Sequence, residues 1–212
     1  RKLADADHPQ GIKEKLKPNT ANTIFSKLVA CLKCAVEDQL IPASPAMGVK
    51  NIPMEESERT FLTKEELKIV SATPCENEET KRAFLFSCMT GLRYSDVKAL
   101  TWGRVSKNGD YTRIAYRQIK TGKLEYLDVN TSASALIGIR PEGSSNEDCV
   151  FAIPSNPTCN EHIEHWMKAA EIDKHITFHS SRHTFATMLL DSGIDIYTTS
   201  KLLGHKNVQT TT

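Results

Sequence analysis

The sequence predicts a mainly α protein with a small antiparallel β-sheet, an α+β fold. Apolar residues recur at helical spacing through most of the 212 residues, and this pattern changes to strict alternation only between Trp102 and Val129. A composition of 39% hydrophobic and 25% charged residues is that of an ordinary globular protein. A chain of this length holds one large or two small domains, and we expect two.

The first helix is predicted to begin at Pro18 and to carry one buried apolar stripe. Its members share one helical face: Ile24, Phe25, Leu28, Val29, Leu32, Ala35 and Val36. Cys31 and Cys34 fall inside this helix without a second pair nearby, so we interpret them as small buried side chains instead of a zinc or redox site. A proline-containing exit and a linker-like stretch then predict domains at residues 1–52 and 61–212, joined by 53–60.

The second domain begins with a recognisable helix start. Thr63 and Glu66 have capping-box spacing, and a further helix from Glu79 ends at Thr90-Gly91. Arg93 then lies in the turn before a helix that we expect Ser95 to cap. Asp96 is spaced to hold the Arg93 guanidinium in orientation.

Alternating residues predict a β-hairpin, with strands at 112–117 and 124–129 and a third strand at 103–106. Lys120 falls in its tight connection. Downstream, a helix from Asn160 to Glu171 carries His162 and His165, which we interpret as surface residues because Ile163, Trp166, Met167 and Ala170 form the core face.

A histidine and an arginine at the start of the next helix indicate a phosphate site. His179 and Arg182 are three residues apart and so share one helical face. Ser180 or Ser181 is expected to cap this helix, and free amides there favour an anion. Arginine presents a fork of donors to phosphate oxygens, and histidine exchanges a proton near neutral pH. A solvated helix start with a satisfied histidine is the alternative.

The local charge balance indicates a nucleic-acid surface. The whole chain has a net charge of only +1, but residues 93–123 contain eight basic residues against two acidic ones. Such an excess suits a surface that follows a DNA backbone, although an exposed basic hairpin also arises by chance. Our candidates for DNA contact are Lys98, Arg113, Arg117, Lys123 and Lys206.

Four motifs occur together in this order: Thr90-Gly91-Leu92-Arg93-Tyr94-Ser95-Asp96, Ile119-Lys120-Thr121-Gly122-Lys123, the His179 to Arg182 segment, and Leu202-Leu203-Gly204-His205-Lys206. The set resembles the tyrosine recombinase (phage integrase) family, strongly over about residues 60 to 212 and loosely before that. The resemblance implies an integrase-type catalytic domain preceded by part of a helical core-binding domain.

The resemblance also implies the site and its chemistry. It assigns catalytic roles to Arg93, Lys120, His179, Arg182 and His205, with Asp96 in support. It implies metal-independent DNA cleavage and rejoining through a 3′-phosphotyrosyl link, without a cofactor. The nucleophilic tyrosine is expected just beyond Thr212, because every tyrosine of the chain precedes His205.

Partners and alternatives follow from the same resemblance. The expected partner is double-stranded DNA at recombination sites. We expect the chain to form a tetramer on paired DNA sites and to be a monomer in solution. The absence of a long apolar run or signal peptide, together with scattered cysteines, predicts a cytoplasmic protein. The resemblance implies in addition that it is prokaryotic and nucleoid-associated. A non-catalytic DNA-binding module, a type IB topoisomerase and a chance coincidence of motifs remain alternatives.

Overall fold

The computed structural model describes residues 16–55, 59–109, 111–117 and 122–204. The chain divides into two compact units, Arg1–Glu58 and Arg59–Thr212. Helix α1 spans Pro18–Glu37 in the first unit. The second contains α2 (Lys64–Ala72), α3 (Glu78–Thr90), α4 (Tyr94–Lys98), β1 (Val105–Asn108), β2 (Tyr111–Arg117), β3 (Leu124–Val129), α5 (Thr131–Ile137), α6 (Asn156–Ala169), α7 (Ser180–Asp191) and α8 (Ile196–Leu202). The predicted mainly α fold with a small antiparallel sheet is confirmed.

Helix α1 forms where the sequence predicts it, but its apolar stripe is not buried. Ala21 is its only buried residue, and Leu28 is 47% exposed. Within the described part of this unit, segment 51–55 approaches the helix through polar contacts, such as Asn19 Nδ2 donating to the Glu55 carbonyl over 2.8 Å. Five of the seven stripe residues, among them Phe25 and Leu32, are only half-buried, and the other two, Ile24 and Leu28, are exposed. The prediction of a buried stripe is therefore wrong.

The six cysteines are all unpaired and divide by exposure. Cys31, Cys34 and Cys149 are exposed, whereas Cys75, Cys88 and Cys159 are buried. The prediction of burial for Cys31 and Cys34 is wrong, for the same reason as the stripe on α1. Burial raises the pKa of the Cys88 thiol well above its ordinary value, so that thiol stays protonated.

The sheet of the second unit is antiparallel, in the order β1-β2-β3. Val105 pairs with Ile114, and Arg113 pairs with Asp128. The hairpin prediction is confirmed. The third strand begins at Val105 instead of Gly103, because Trp102–Arg104 forms a 3-10 turn before it.

Helix α3 forms the centre of the core. Its Phe84 ring meets Trp166 of α6 and Phe178 before α7 edge-on, at centroid distances of 5.9 and 6.0 Å. All three side chains are buried. Burying each stabilises the fold by roughly 1.5–3 kcal/mol or more. This core supports both ends of α3 and the start of α7, the elements that carry the predicted site.

Helix ends follow local chemistry, and several depart from prediction. The capping box of α2 is confirmed, with the Thr63 amide donating to Glu66 Oε2 over 2.8 Å. Helix α6 begins earlier than predicted, capped by Ser155, because a proline is tolerated in a first turn. Helix α5, capped by Asn130, was not predicted. Ser95 lies inside α4 and does not cap it, since Arg93 has the extended N-cap backbone.

Within the part of the chain that the structure describes, no helix combines the length and apolar character needed to span a membrane.

Candidate active site

Arg93 is held by the backbone of a tight helix-to-helix turn. Helix α3 ends at Gly91 in the left-handed conformation, with φ of 68°. A Cβ on Gly91 would lie 2.5 Å from a ring carbon of Phe185, so both the conformation and the space require glycine. The Arg93 carbonyl then accepts from the amides of Asp96 and Val97, each over 2.9 Å. The sequence therefore fixes where the arginine side chain leaves the backbone.

A buried carboxylate lies beside this arginine. The distance from Arg93 Nη1 to Asp96 Oδ2 is 3.9 Å, a long ion pair, and Asp96 is only 3% exposed. The predicted neighbourhood of the two side chains is present. At this distance Asp96 contributes charge more than a directed hydrogen bond.

Arg182 is buried and holds two separate chain segments. Its Nη1 donates to the carbonyl of Gly91, and its Nη2 donates to the carbonyl of Leu203 over 2.8 Å. Burial, with the nearby charge of Arg93, lowers its pKa to about 10, against the opposing effects of Asp96 and Tyr116. Arg182 remains a cation at neutral pH.

His179 stands at the start of α7, on the same side as both arginines. Partial burial of its ring, followed by the charges of Arg182, Arg93 and Arg59, lowers the pKa of the imidazole below its ordinary value. Its ring meets His183 edge-on at a centroid distance of 5.2 Å. Since these cations disfavour a further positive charge, His179 is a neutral imidazole near pH 7.

The serines of this helix do not cap it as predicted. His179 itself occupies the N-cap position with a helical backbone and no capping side-chain bond. The amides of Ser180, Ser181 and Arg182 donate to carbonyls three residues earlier, over 2.9, 3.3 and 3.1 Å. The expected free amides are thus already used in a tight first turn. Anion binding at this site must rely on side chains.

The sequence that forms this site matches a known protein family. The model of the phage integrase family matches residues 60–212. The chain belongs to the phage integrase family. This is the family of site-specific tyrosine recombinases and integrases, enzymes of DNA integration and recombination.

Relatives extend the similarity into the first unit. The ICEBs1 integrase of Bacillus subtilis (strain 168) is 24% identical over 92% of this chain and 61% of its own length. The integrase of Escherichia phage P2 is 23% identical over 92% of this chain and 55% of its own length. The chain thus spans less than two thirds of these curated relatives.

Solved structures of integrases share the fold. A crystal structure of lambda integrase, bound as a dimer to a COC′ core site, superposes with a TM-score of 0.74 at 21% identity, covering 92% of this chain and 72% of that one. This superposition shows that this integrase family member has the fold of the DNA-bound recombinases.

Three predicted site residues lie outside the described residues of this integrase family member: Lys120, His205 and Lys206. The described residues nearest to them in the sequence are Arg117, Gly122 and Gly204. Arg117 Nη1 donates to the Gly122 carbonyl over 2.6 Å. Gly204, with φ of 64°, follows the end of α8 just before His205. The roles of Lys120, His205 and Lys206 stay predictions.

The basic surface of this family member is partly neutralised. Arg113 makes a two-bond pair with Asp128, with distances of 2.6 and 2.7 Å, and Lys123 pairs with Glu125 over 2.8 Å. Lys98 Nζ donates to the Tyr94 hydroxyl over 3.2 Å. The charge excess counted over residues 93–123 overlooked these carboxylates, because both lie in β3 beyond that range. Cross-strand pairing brings Asp128 to Arg113, and Glu125 is two residues after Lys123.

Sequence reasoning missed Arg59, which it assigned to the linker. The amide of Leu62 donates to Thr184 Oγ1 of α7 over 3.0 Å, which ties the segment containing Arg59 to the site helix. The charge of Arg59 also contributes to the lowered pKa of His179. No local sequence pattern marks this residue, because its nearness to His179 depends on tertiary packing.

The histidines of α6 contact an acidic residue. His162 Nε2 and His165 Nδ1 lie 3.7 and 3.4 Å from Glu76 Oε1. His165 is exposed, whereas His162 is half-buried and also contacts Thr80 Oγ1 over 3.2 Å. Across the described ranges, no group of three or more histidine, cysteine or acidic side chains is arranged to hold a metal ion.

Proposed function

We propose that this chain is the recombining part of an integrase that cuts and rejoins DNA at specific sites, through a covalent 3′-phosphotyrosyl intermediate. The observation that carries the proposal is the convergence of Arg93, His179 and Arg182 from two distant segments of the chain. Burial first, and then the neighbouring guanidinium charges, lower the pKa values of His179 and Arg182, so positive charge is concentrated at this place. A site of this kind favours a phosphodiester anion.

The reaction is a pair of transesterifications. A tyrosine oxygen, expected beyond Thr212, attacks the scissile phosphorus, and the bond from phosphorus to the 5′-oxygen breaks. The tyrosine loses a proton, and the leaving 5′-oxygen gains one from Lys120. The 5′-hydroxyl of a second strand then attacks the phosphotyrosyl link and restores the tyrosine. Because the link retains the phosphodiester, rejoining requires no ATP.

Each side chain has a role suited to its environment. Arg93, Arg182 and His205 bind the non-bridging oxygens and offset the charge that develops in the transition state. His179, kept neutral by partial burial and by the neighbouring cations, accepts or orients a proton at the attacking tyrosine. Asp96 limits the repulsion between the two guanidiniums, since its charge opposes the lowering of the Arg182 pKa.

The DNA partner and the assembly belong to the same proposal. The described side chains that remain available to follow a phosphate backbone include Arg117 and Lys98, and Lys206 extends this set. Residues 1–52 act as part of a core-binding domain, and 61–212 as the catalytic domain. Lambda integrase is bound to its DNA as a dimer. For this chain we propose four copies on two paired sites, within the prokaryotic nucleoid.

The deciding experiment uses a version extended past Thr212, incubated without metal on a nicked suicide duplex carrying its recombination site. We expect a covalent protein–DNA adduct on a denaturing gel. It should disappear when the first tyrosine after Thr212 is changed to phenylalanine, and in Arg93→Ala. Arg140→Ala is the matched control, because that arginine contacts Ser144. Tight binding without an adduct would instead indicate a non-catalytic DNA-binding module.

A further inference from the structure

Two buried hydroxyl groups join the segments that carry the proposed site. Ser87 lies in α3 before the Arg93 turn, and Ser181 lies between His179 and Arg182. Both residues have no exposed surface, and their Oγ atoms are 2.5 Å apart. They form a direct polar link between the two halves of the site.

Each hydroxyl also reaches a backbone carbonyl. Ser87 Oγ lies 2.7 Å from the carbonyl oxygen of Leu92, and Ser181 Oγ lies 2.6 Å from that of Phe178. Three short contacts therefore share only two hydroxyl protons. One of the three contacts must therefore lack a proton at any moment. Which contact lacks it depends on whether each carbonyl has another hydrogen-bond donor.

The distribution of other donors resolves the direction of the bonds. The Phe178 carbonyl also receives the amide of Ser181 over 3.3 Å. Among the hydrogen bonds of the described residues, the Leu92 carbonyl has Ser87 as its donor and no other. The arrangement that satisfies every buried acceptor has Ser181 donating to Ser87, and Ser87 donating to Leu92.

We infer that Ser87 is a positioning residue for Arg93, and that Ser181 holds Ser87 in its donating orientation. This inference rests on the proposed function. The Leu92 carbonyl belongs to the peptide group that ends at the Arg93 nitrogen, so the Ser87 bond fixes the plane from which Arg93 extends. Because Ser181 donates to Ser87 and Ser87 donates to Leu92, the orientation of the Leu92–Arg93 peptide plane depends on α7, which carries Arg182 and has His179 at its N-cap.

Such a tie is needed because the charges of the site repel one another. Arg93 lowers the pKa of Arg182 and, less than Arg182 itself, that of His179. The same repulsion opposes the approach of the Arg93 turn to α7. Directed hydrogen bonds to the backbone oppose that repulsion, whereas apolar packing of the same volume does not specify an orientation.

The test compares three truncations of buried hydroxyls in the extended protein. Ser87→Ala and Ser181→Ala remove the two members of the link. Thr80→Ala is the matched control, because Thr80 is equally buried in the same helix but contacts Cys159 and His162. The measurements are urea unfolding, and the rate of adduct formation at saturating suicide duplex, under conditions where each variant is folded.

A positioning role predicts a specific ranking of rates. Ser87→Ala loses on the order of 10- to 100-fold in the saturated rate while keeping its DNA affinity, because a displaced Arg93 weakens the transition state most. Ser181→Ala loses less, since Ser87 still reaches Leu92. Thr80→Ala keeps the wild-type rate despite a comparable loss of stability. Equal rates in Ser87→Ala and Thr80→Ala would overturn the inference.

Two additions keep the outcome decisive. If Ser87→Ala does not fold, Ser87→Cys keeps a weaker donor, and a full wild-type rate in that variant overturns the inference. Independently, the Arg93 Nε–H resonance of the 212-residue chain is followed by NMR during titration with inorganic phosphate. If no adduct forms, but Ser87→Ala alters the response of the Arg93 resonance to phosphate, the proposed function is refuted and the positioning role is retained. If an adduct forms, but the Arg93 resonance responds to phosphate equally in Ser87→Ala and in the unsubstituted protein, only the positioning role is refuted.

Discussion

Arg182 is hydrogen-bonded to Leu203, from Nη2 of the guanidinium to the carbonyl oxygen over 2.8 Å. The other terminal nitrogen donates to the carbonyl of Gly91. The side chain therefore fastens the end of α8 to the turn that precedes Arg93. In the proposed site the same guanidinium also faces the DNA phosphate, so folding and catalysis share one residue.

The first prediction is that Arg182→Ala destabilises the protein as well as abolishing cleavage. Two carbonyls at buried helix ends lose their donor, and each such loss costs about 1–3 kcal/mol. We expect a total of about 2–4 kcal/mol in urea unfolding. Arg93→Ala, at a half-buried side chain, is the control and should lose less than about 1 kcal/mol. Equal unfolding curves for Arg182→Ala and the unsubstituted protein would rule out the two bonds.

The second prediction concerns the glycine of the same turn. Gly91→Ala should destabilise the protein by about 2–4 kcal/mol, because strain at positive φ adds to overlap with Phe185. Gly143→Ala is matched in backbone conformation, with φ of 78°, but its Cβ would meet no atom within 4 Å. It should cost about 1 kcal/mol. Thermal or urea unfolding of the two variants separates strain from overlap, and equal losses would contradict the close packing at Gly91.

The third prediction is a shift in the titration of His179. Replacing a neighbouring cation in Arg93→Gln should raise the pKa of the imidazole, because protonation then meets less repulsion. NMR of the histidine ring protons measures the shift, and Lys98→Gln serves as the control. An unchanged or lowered pKa in Arg93→Gln would show that Arg93 does not act on this ring.

The same histidine makes stability depend on pH. Its pKa is lowered on folding, so the unfolded chain binds the proton more tightly than the native protein. The His179 contribution to the free energy of unfolding is therefore unimpaired above the unfolded value of about 6.5, and it falls as the pH drops from there towards the folded pKa. His179→Asn should remove this part of the pH dependence in urea titrations.

The fourth prediction ranks the basic residues by their effect on DNA binding. Arg117→Gln should weaken binding to all sequences and reduce the slope of affinity against salt by about one phosphate contact. Arg113→Gln should have a smaller effect, because Asp128 already neutralises that guanidinium through two bonds. Fluorescence anisotropy at several salt concentrations gives the slopes. A larger effect for Arg113 than for Arg117 would show that DNA displaces Asp128.

Features encoded within a few residues could be predicted from the sequence. The alternation of β2 and β3, the Thr63 capping box and the glycine that ends α3 each depend on neighbours along the chain. The separate motifs of Arg93 and Arg182 were also recognisable. The hydrogen bond from Arg182 to the Gly91 carbonyl, in the turn that carries Arg93, could not be predicted, because it joins residues far apart in the sequence.

The errors have a related physical cause. The stripe on α1 has helical periodicity, but periodicity does not reveal whether another element covers it. Ser180 and Ser181 are good capping residues, yet the chain enters α7 through a tight turn that places His179 at the N-cap. The pairing of Arg113 with Asp128 depends on strand register, which a count of charges along the chain ignores.

Three of the six cysteines are exposed and three are buried, so the natural thiols can report opening of the protein without any substitution. Cys31, Cys34 and Cys149 should react with a thiol reagent in the native protein, whereas Cys75, Cys88 and Cys159 should react only when the second unit opens. Mass spectrometry after timed alkylation then counts three fast and three slow modifications. Because Cys88 and Cys159 lie in α3 and α6 and Cys75 lies just before α3, the rate of the slow group reports how often the second unit opens. Repeating the alkylation with DNA present tests whether DNA keeps that unit closed.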